Sequence, residues 1–168
     1  IVATGAVRDA SNGPNFAQLV HQATGHQLEI LSGRKEAQGI AAGIRTDPLL
    51  SGQDDFLACD LGGGSLELIL VNDREVAAVT SLPLGAVRLT ERFISHAQSP
   101  VPDPELMAIE EYVRAALKSC DFPIPETCPE MIATGGSFVT ARIILAQQLG
   151  GSFEDRSTMT KAEIHDLM

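Results

Sequence analysis

Residues 56–71, FLACDLGGGSLELILV, place two short apolar runs on either side of three consecutive glycines. Runs of six residues bounded by turns are strand-length, and the mostly apolar run 56–61 suits a strand covered on both faces. The run 66–71 is again apolar, with Glu67 its single charge, and Asn72-Asp73 marks the next turn. Glycine loses more backbone freedom on folding than any other residue. A run of three therefore marks a place that needs positive φ or a close approach of another group to the backbone. The bare N–H groups of such a turn can cradle an anion, and Ser65 adds a hydroxyl. Asp60 stands at the mouth of the turn, where a carboxylate can hold hydrated Mg²⁺ against a phosphate. A tight hairpin that binds nothing is the competing reading of the glycines alone.

Upstream, residues 1–3 read as the end of a strand and residues 16–23 as a helix. Arg8, just after the strand and close to a glycine, either forks onto a phosphate or pairs with Asp9 or Glu29. A short strand is expected over 27–31, followed by a helix in SGRKEAQGIAAGI with Ser32 as its N-cap. Glu36 then has two readings: a second capping group at the helix start, or a general base acting on water.

Downstream, residues 47–55 form a polar linker, and residues 75–82 a third strand ending at Pro83. LPLGAVRLTERFI passes from a glycine turn into a helix that carries Arg88 and Arg92 on one face. SPVPDP reads as a loop, 105–119 as a helix with Leu106, Ile109, Val113, Ala116 and Leu117 on one side, and 121–129 as another loop. A short strand over 131–133 runs into TGGS and a helix, FVTARIILAQQLG. Glycines between strand and helix aim N–H groups and the positive end of the helix dipole above the sheet, although ordinary strand–helix packing also uses them. Gly150-Gly151 stops that helix, and Thr160 with Glu163 signals a capping box for a last one.

Neither glycine turn is a P-loop, because no Gly-Lys-Ser/Thr follows, and neither has the spacing of a dinucleotide fingerprint. A strand-glycines-strand turn facing a strand-glycines-helix turn suits a clamp on a phosphate chain. The 168 residues suffice for one core, or for one domain with a piece of another. No apolar run approaches the ~20 residues of a membrane span, so no membrane partner is expected. There is no basic-then-apolar leader, and a chain opening on Ile1 inside a strand reads as an excerpt. A formal charge of −10 argues against a nucleic-acid surface. It also repels polyanions, so local dipoles, arginines and a divalent cation are needed at any phosphate site. Cys59, Cys120 and Cys128 lack C-x-x-C spacing and read as reduced thiols of a cytoplasmic protein, Cys59 in the core. His21, His26, His96 and His165 lack zinc-ligand spacing and read as solvated or capping side chains.

ATGAVRDASN (3–12), EILSGRKEAQGIAAGI (29–44), DLGGGSLEL (60–68), SLPLGAVRLTERF (81–93) and ATGGSFVTA (133–141) together cover most of the chain. In that order they resemble the exopolyphosphatase and guanosine pentaphosphatase family, within the superfamily of actin, sugar kinases and the heat-shock chaperone ATPases. The resemblance implies an α/β, RNase H-like (actin-like ATPase) fold, a mixed sheet flanked by helices. It implies two such domains with a cleft between them, residues 1–36 ending the first and 37–168 forming most of the second. It implies Mg²⁺-dependent release of terminal phosphate from inorganic polyphosphate or guanosine pentaphosphate, and it allows a homodimer. Glu36 takes the place of the Glu that activates water in this family. Asp60, Gly62, Gly63, Gly64 and Ser65 take the places of its phosphate and Mg²⁺ motif, Asp60 and Glu67 standing at the metal. Arg8 matches its phosphate-binding Arg. Gly135, Gly136 and Ser137 form the second phosphate-binding turn.

The sequence departs from the family at several points. Arg34-Lys35 stands where acidic residues usually precede the catalytic Glu, a change expected to lower the pKa of Glu36. Leu66 replaces a usual Thr. The family's first phosphate loop would lie upstream of Ile1, so this stretch alone is expected to be inactive. Two other readings fit the same fold: a nucleotide or alarmone sensor without turnover, and a kinase-like ATPase with an adenosine pocket near Gly135-Gly136.

Overall fold

The computed structural model describes residues 1–50, 52–96, 100–126 and 130–167. Strand β1 (Val2–Ala3) leads through the single turn α1 (Gly5–Arg8) into α2 (Gly13–Thr24). Strand β2 (Glu29–Ile30) pairs in parallel with β1, and α3 (Gly33–Thr46) follows. Strands β3 (Phe56–Leu61), β4 (Leu66–Asn72) and β5 (Glu75–Leu82) then run as an antiparallel meander. Helices α4 (Ala86–Phe93) and α5 (Asp103–Ser119) precede β6 (Ile132–Thr134), which joins β3 in parallel. Helix α6 (Gly136–Gln148), a 3₁₀ turn (Phe153–Asp155) and α7 (Lys161–Asp166) complete the chain. The sheet order β5-β4-β3-β6 is mixed, and helices pack on both of its faces.

Period-two alternation along β3 and β4 divides the core. Phe56, Ala58, Ile69 and Val71 face α3, where Ala37 and Ala41 are fully buried. Two alanines four apart let that helix lie close to the strands. Leu57, Cys59, Leu66 and Leu68 face the opposite way, against Leu84, Phe122 and the apolar side of α5. The strand at 56–61 is therefore covered on both faces, as its composition requires. At the far end of the meander, Asp73 and Arg74 both have positive φ, of 49° and 68°, as a two-residue hairpin turn of the right twist demands. Asp73 N–H donates to Asp55 Oδ1 at 2.7 Å, Arg74 N–H donates to the Asp54 carbonyl at 3.0 Å, and the Arg45 guanidinium donates to the Arg74 carbonyl.

Several boundaries differ from expectation. Helix α2 starts three residues early, at Gly13, and α5 starts at Asp103 inside the expected SPVPDP loop. In both cases a proline sits in the first helical turn, where its missing N–H has no partner to lose and its φ is already helical. The strand expected over 131–133 occupies 132–134. The turn α1 and the 3₁₀ turn carry no strong periodic signal. Cys128 lies outside the described residues. Helix α3 runs unbroken through Glu36, the residue after which the sequence leads one to expect a division. Among the described residues no helix is long and apolar enough to cross a membrane.

Candidate active site

The glycine turn between β3 and β4 is shaped by α4. The Gly62 carbonyl accepts from Ala86 N–H at 3.0 Å, and the Gly63 carbonyl from Arg88 N–H at 3.1 Å. The Gly64 carbonyl accepts from Arg88 Nε at 2.8 Å. The first-turn donors of α4 and one side chain thus hold three successive carbonyls. In a trans peptide the N–H points opposite to its carbonyl, and the chain has no cis bond among the described residues. The N–H groups of Gly63, Gly64 and Ser65 are therefore turned away from α4. None of the three glycines has positive φ, and a Cβ would be crowded only at Gly63, 3.2 Å from Val87 Cγ2, whereas Gly64 faces open space. A Cβ at Gly85 would lie 2.3 Å from Gly63 and Gly64 backbone atoms.

The second turn is built differently. Gly135 has φ of +96°, and a Cβ there would lie 2.4 Å from the Leu61 carbonyl oxygen and 2.7 Å from Asp60 Oδ1. The two turns thus meet where β3 and β6 end side by side. Gly136 and Ser137 open α6, whose first turn has no side-chain cap.

Register aligns a polar row across the sheet. Thr134 on β6 is opposite Asp60 on β3, Asp60 is opposite Glu67 on β4, and Glu67 is opposite Ser81 on β5. Directly opposed residues share a face, so the row lies on the α3 side of the sheet, past the apolar contacts of Ala58 and Ile69. Glu67 is only 2% exposed and accepts from Ser81 Oγ at 2.7 Å. Thr134 Oγ1 is buried and meets no hydrogen-bond partner among the described residues. Among the described residues no three His, Cys, Asp or Glu side chains converge as metal ligands, so the carboxylates brought together here are Asp60 and Glu67.

Arg8, which feels the charge of Glu67 and lines a cleft with Ser81, meets Glu36. Arg8 Nη1 donates to Glu36 Oε2 at 2.7 Å and to the Leu31 carbonyl at 3.1 Å, with the two side chains only 23% and 15% exposed. That hydrogen bond, more than any other contact, raises the Arg8 pKa above its ordinary value, so the guanidinium stays charged. Ser32 is the N-cap, as expected, its Oγ accepting from Lys35 N–H at 3.3 Å. Lys35 is the third helical residue, which leaves Glu36 one position beyond the capping box. The Arg8–Glu29 pair is likewise replaced, since Glu29 binds Lys35 at 2.5 Å. The cation beside Glu36 is therefore Arg8, not Lys35.

Arg8, Asp9, Gly33, Ser65, Ser81 and the Leu82-Pro83 pair line a cleft of about 270 Å³. Arg88 reaches its rim, with Nη2 3.2 Å from Asp9 Oδ2. Ser81, Thr134 and the supporting role of Arg88 had no separate signal in the sequence, because each depends on register or on a distant partner; Asp9 was readable as a partner of Arg8, and its Oδ1 lies 3.8 Å from Arg8 Nε. Cys59 is adjacent to Asp60 but on the opposite face. Burial, followed by the charges of Asp60 and Glu67, pushes its thiol up to about 11, which rules it out as a ready nucleophile.

The family model described as the Ppx/GppA phosphatase family matches residues 1–168. A Vibrio vulnificus protein named guanosine-5'-triphosphate,3'-diphosphate pyrophosphatase is 39% identical over 98 residues, which is 58% of this chain and 19% of that one. The solved Aquifex aeolicus PPX-GPPA enzyme has a TM-score of 0.64 at 26% identity over 87% of this chain and 46% of its own. An exopolyphosphatase from Cytophaga hutchinsonii shares the fold, with a TM-score of 0.74 at 23% identity, over 99% of this chain and 54% of its own. This chain spans about half the length of those solved relatives. With the model matching from the first residue to the last, the chain belongs to the Ppx/GppA phosphatase family.

Proposed function

We propose that this chain carries the water-activating and phosphate-binding half of a phosphoanhydride hydrolase, which releases terminal phosphate from inorganic polyphosphate or guanosine pentaphosphate. The observation that carries this reading is the Glu36–Arg8 pair at a cleft that Ser65 of the glycine turn also lines. Arg8 fixes one carboxylate oxygen of Glu36, and the other has no hydrogen bond to any described residue. The free oxygen is the acceptor for a water proton. Attack by that water on the terminal phosphorus forms a P–O bond while the bond to the bridging oxygen breaks. The products are orthophosphate and a chain one phosphate shorter. The Gly63, Gly64 and Ser65 N–H groups and the Ser65 hydroxyl donate to non-bridging oxygens, and Gly135-Gly136 with Ser137 offers a second set of donors. Positioning and charge neutralisation supply most of the rate in phosphoryl transfer.

The residues present fit Mg²⁺. Asp60 and Glu67 are direct cross-strand partners, and the buried Thr134 hydroxyl beside them lacks a partner. An all-oxygen set with one or two carboxylates suits an ion that keeps several waters and binds substrate phosphate. Asp60 would hold it, with Glu67 behind, and the ion would neutralise charge on the phosphate oxygens. The test is phosphate release from polyphosphate, guanosine pentaphosphate and ATP, measured on this chain and on a form extended to the length of its relatives. In the active form, Glu36→Gln is expected to lower kcat by about 10²–10⁴-fold with substrate binding retained. Wild-type turnover in that variant removes Glu36 from the mechanism. Tight guanosine nucleotide binding without turnover in either form replaces this reading with a sensor.

A further inference from the structure

Thr134 Oγ1 is a buried hydroxyl with no hydrogen-bond partner among the described residues. Burial without a partner costs stability, and most buried polar side-chain atoms avoid it. Asp60 is directly opposite Thr134 on the neighbouring parallel strand and on the same face. Asp60 is itself without a hydrogen bond to any described side chain, whereas Glu67, the next residue in the row, is fixed by Ser81. Neighbouring strands lie ~4.8 Å apart, so a change of rotamer within the staggered set brings a threonine hydroxyl and a facing carboxylate into contact. A Cβ on Gly135, which follows Thr134, would lie 2.7 Å from Asp60 Oδ1, so the glycine leaves that carboxylate its room.

We propose that Thr134 is a positioning residue for Asp60: its hydroxyl donates to the Asp60 carboxylate when that group turns to hold Mg²⁺. In the ligand-free chain the same hydroxyl has no partner among the described residues. This rests on the reading of Asp60 as a metal ligand given above. It makes the row symmetrical in function, with Ser81 orienting Glu67 from β5 and Thr134 orienting Asp60 from β6. It also implies that the ligand-free chain gives up stability at this position for the sake of binding, a trade found at preorganised sites.

The two halves of the proposal have opposite signs in one substitution. Thr134→Val keeps the shape and removes the hydroxyl, so without ligand it is expected to melt about 2–4 °C higher than wild type. It is expected to bind Mg²⁺ about tenfold more weakly, the usual scale for losing a group that orients a metal ligand. Thr134→Ser, which keeps the hydroxyl, is expected to retain wild-type affinity. The experiment is thermal unfolding of the three proteins without ligand, then titration calorimetry with Mg²⁺ alone and with orthophosphate alone. A lower melting temperature for Thr134→Val, or unchanged Mg²⁺ affinity, overturns the proposal. So does a loss confined to orthophosphate, which would make the hydroxyl a phosphate donor. Failure of the wild-type chain to bind Mg²⁺ overturns the reading of Asp60 itself, a result distinct from equal binding by wild type and variant.

Discussion

The two glycine turns use the same residue for different physical reasons. In the turn between β3 and β4, no glycine has positive φ and the space around Gly64 is open. What gives that turn its shape is α4, whose donors hold three carbonyls in a row. In the turn between β6 and α6, Gly135 adopts a backbone region that is essentially restricted to glycine and sits against Leu61 and Asp60. The first turn is set from outside by its neighbours, and the second by its own backbone. Damage to the first should appear in ligand binding, and damage to the second in folding.

The largest expected effect follows from that contrast. Gly135→Ala adds a Cβ 2.4 Å from a backbone carbonyl oxygen at φ of +96°, so a loss of about 3 kcal/mol or more is expected. Gly64→Ala adds a Cβ that meets nothing within 4 Å, and its stability should stay within about 1 kcal/mol of wild type. Chemical denaturation of both variants measures the difference. Equal losses would mean that the two turns are not built on different principles.

A smaller effect is expected at the strut that holds the first turn. Arg88 ties the Gly64 carbonyl and Asp9 together, and its removal frees the peptide between Gly64 and Ser65 to rotate. Arg88→Ala should weaken orthophosphate binding by about tenfold, the scale of one charge-assisted hydrogen bond. Its ion pair with Asp9 is exposed, so the stability cost should stay under about 1 kcal/mol. Calorimetric titration beside a melting curve separates the two. A large stability loss with unchanged binding would show that the strut supports packing and not the anion site.

How much of this was legible in the sequence depends on the range of each interaction. The third strand runs over 75–82, as its pattern requires, and the Thr160–Glu163 capping box forms with both of its hydrogen bonds. Those are local signals, fixed by residues a few positions apart. Ser32 was also readable as a cap, but its bond to Lys35 moved Glu36 out of the capping box and toward Arg8. That partner is 28 residues away, and the Arg88–Asp9 contact spans 79. The polar row from Thr134 to Ser81 needs the order of four strands and the register of each pair. No window of sequence contains that information, so Asp60 and Glu67 were readable as single residues, and the hydroxyls on either side of them were not.

A further prediction concerns the other face of the same strand. Cys59 and Asp60 are neighbours, yet alternation puts the carboxylate in the row and the thiol in the core against Leu84 and Phe122. Burial raises the thiol from 9.0 to about 11. Between those values the unfolded chain has released its proton and the folded chain has kept it. The unfolded state then binds fewer protons, and stability falls as pH rises. The contribution is complete below about pH 9 and gone above about pH 11, at most on the order of 2–3 kcal/mol. Other groups titrate in that range in both proteins, so the useful quantity is the difference from Cys59→Ala. Denaturation at pH 8 and pH 10.5 should show wild type losing more stability than the variant. Equal losses would mean that the core around Cys59 admits water, and that the two faces of β3 are less different than the division of its side chains indicates.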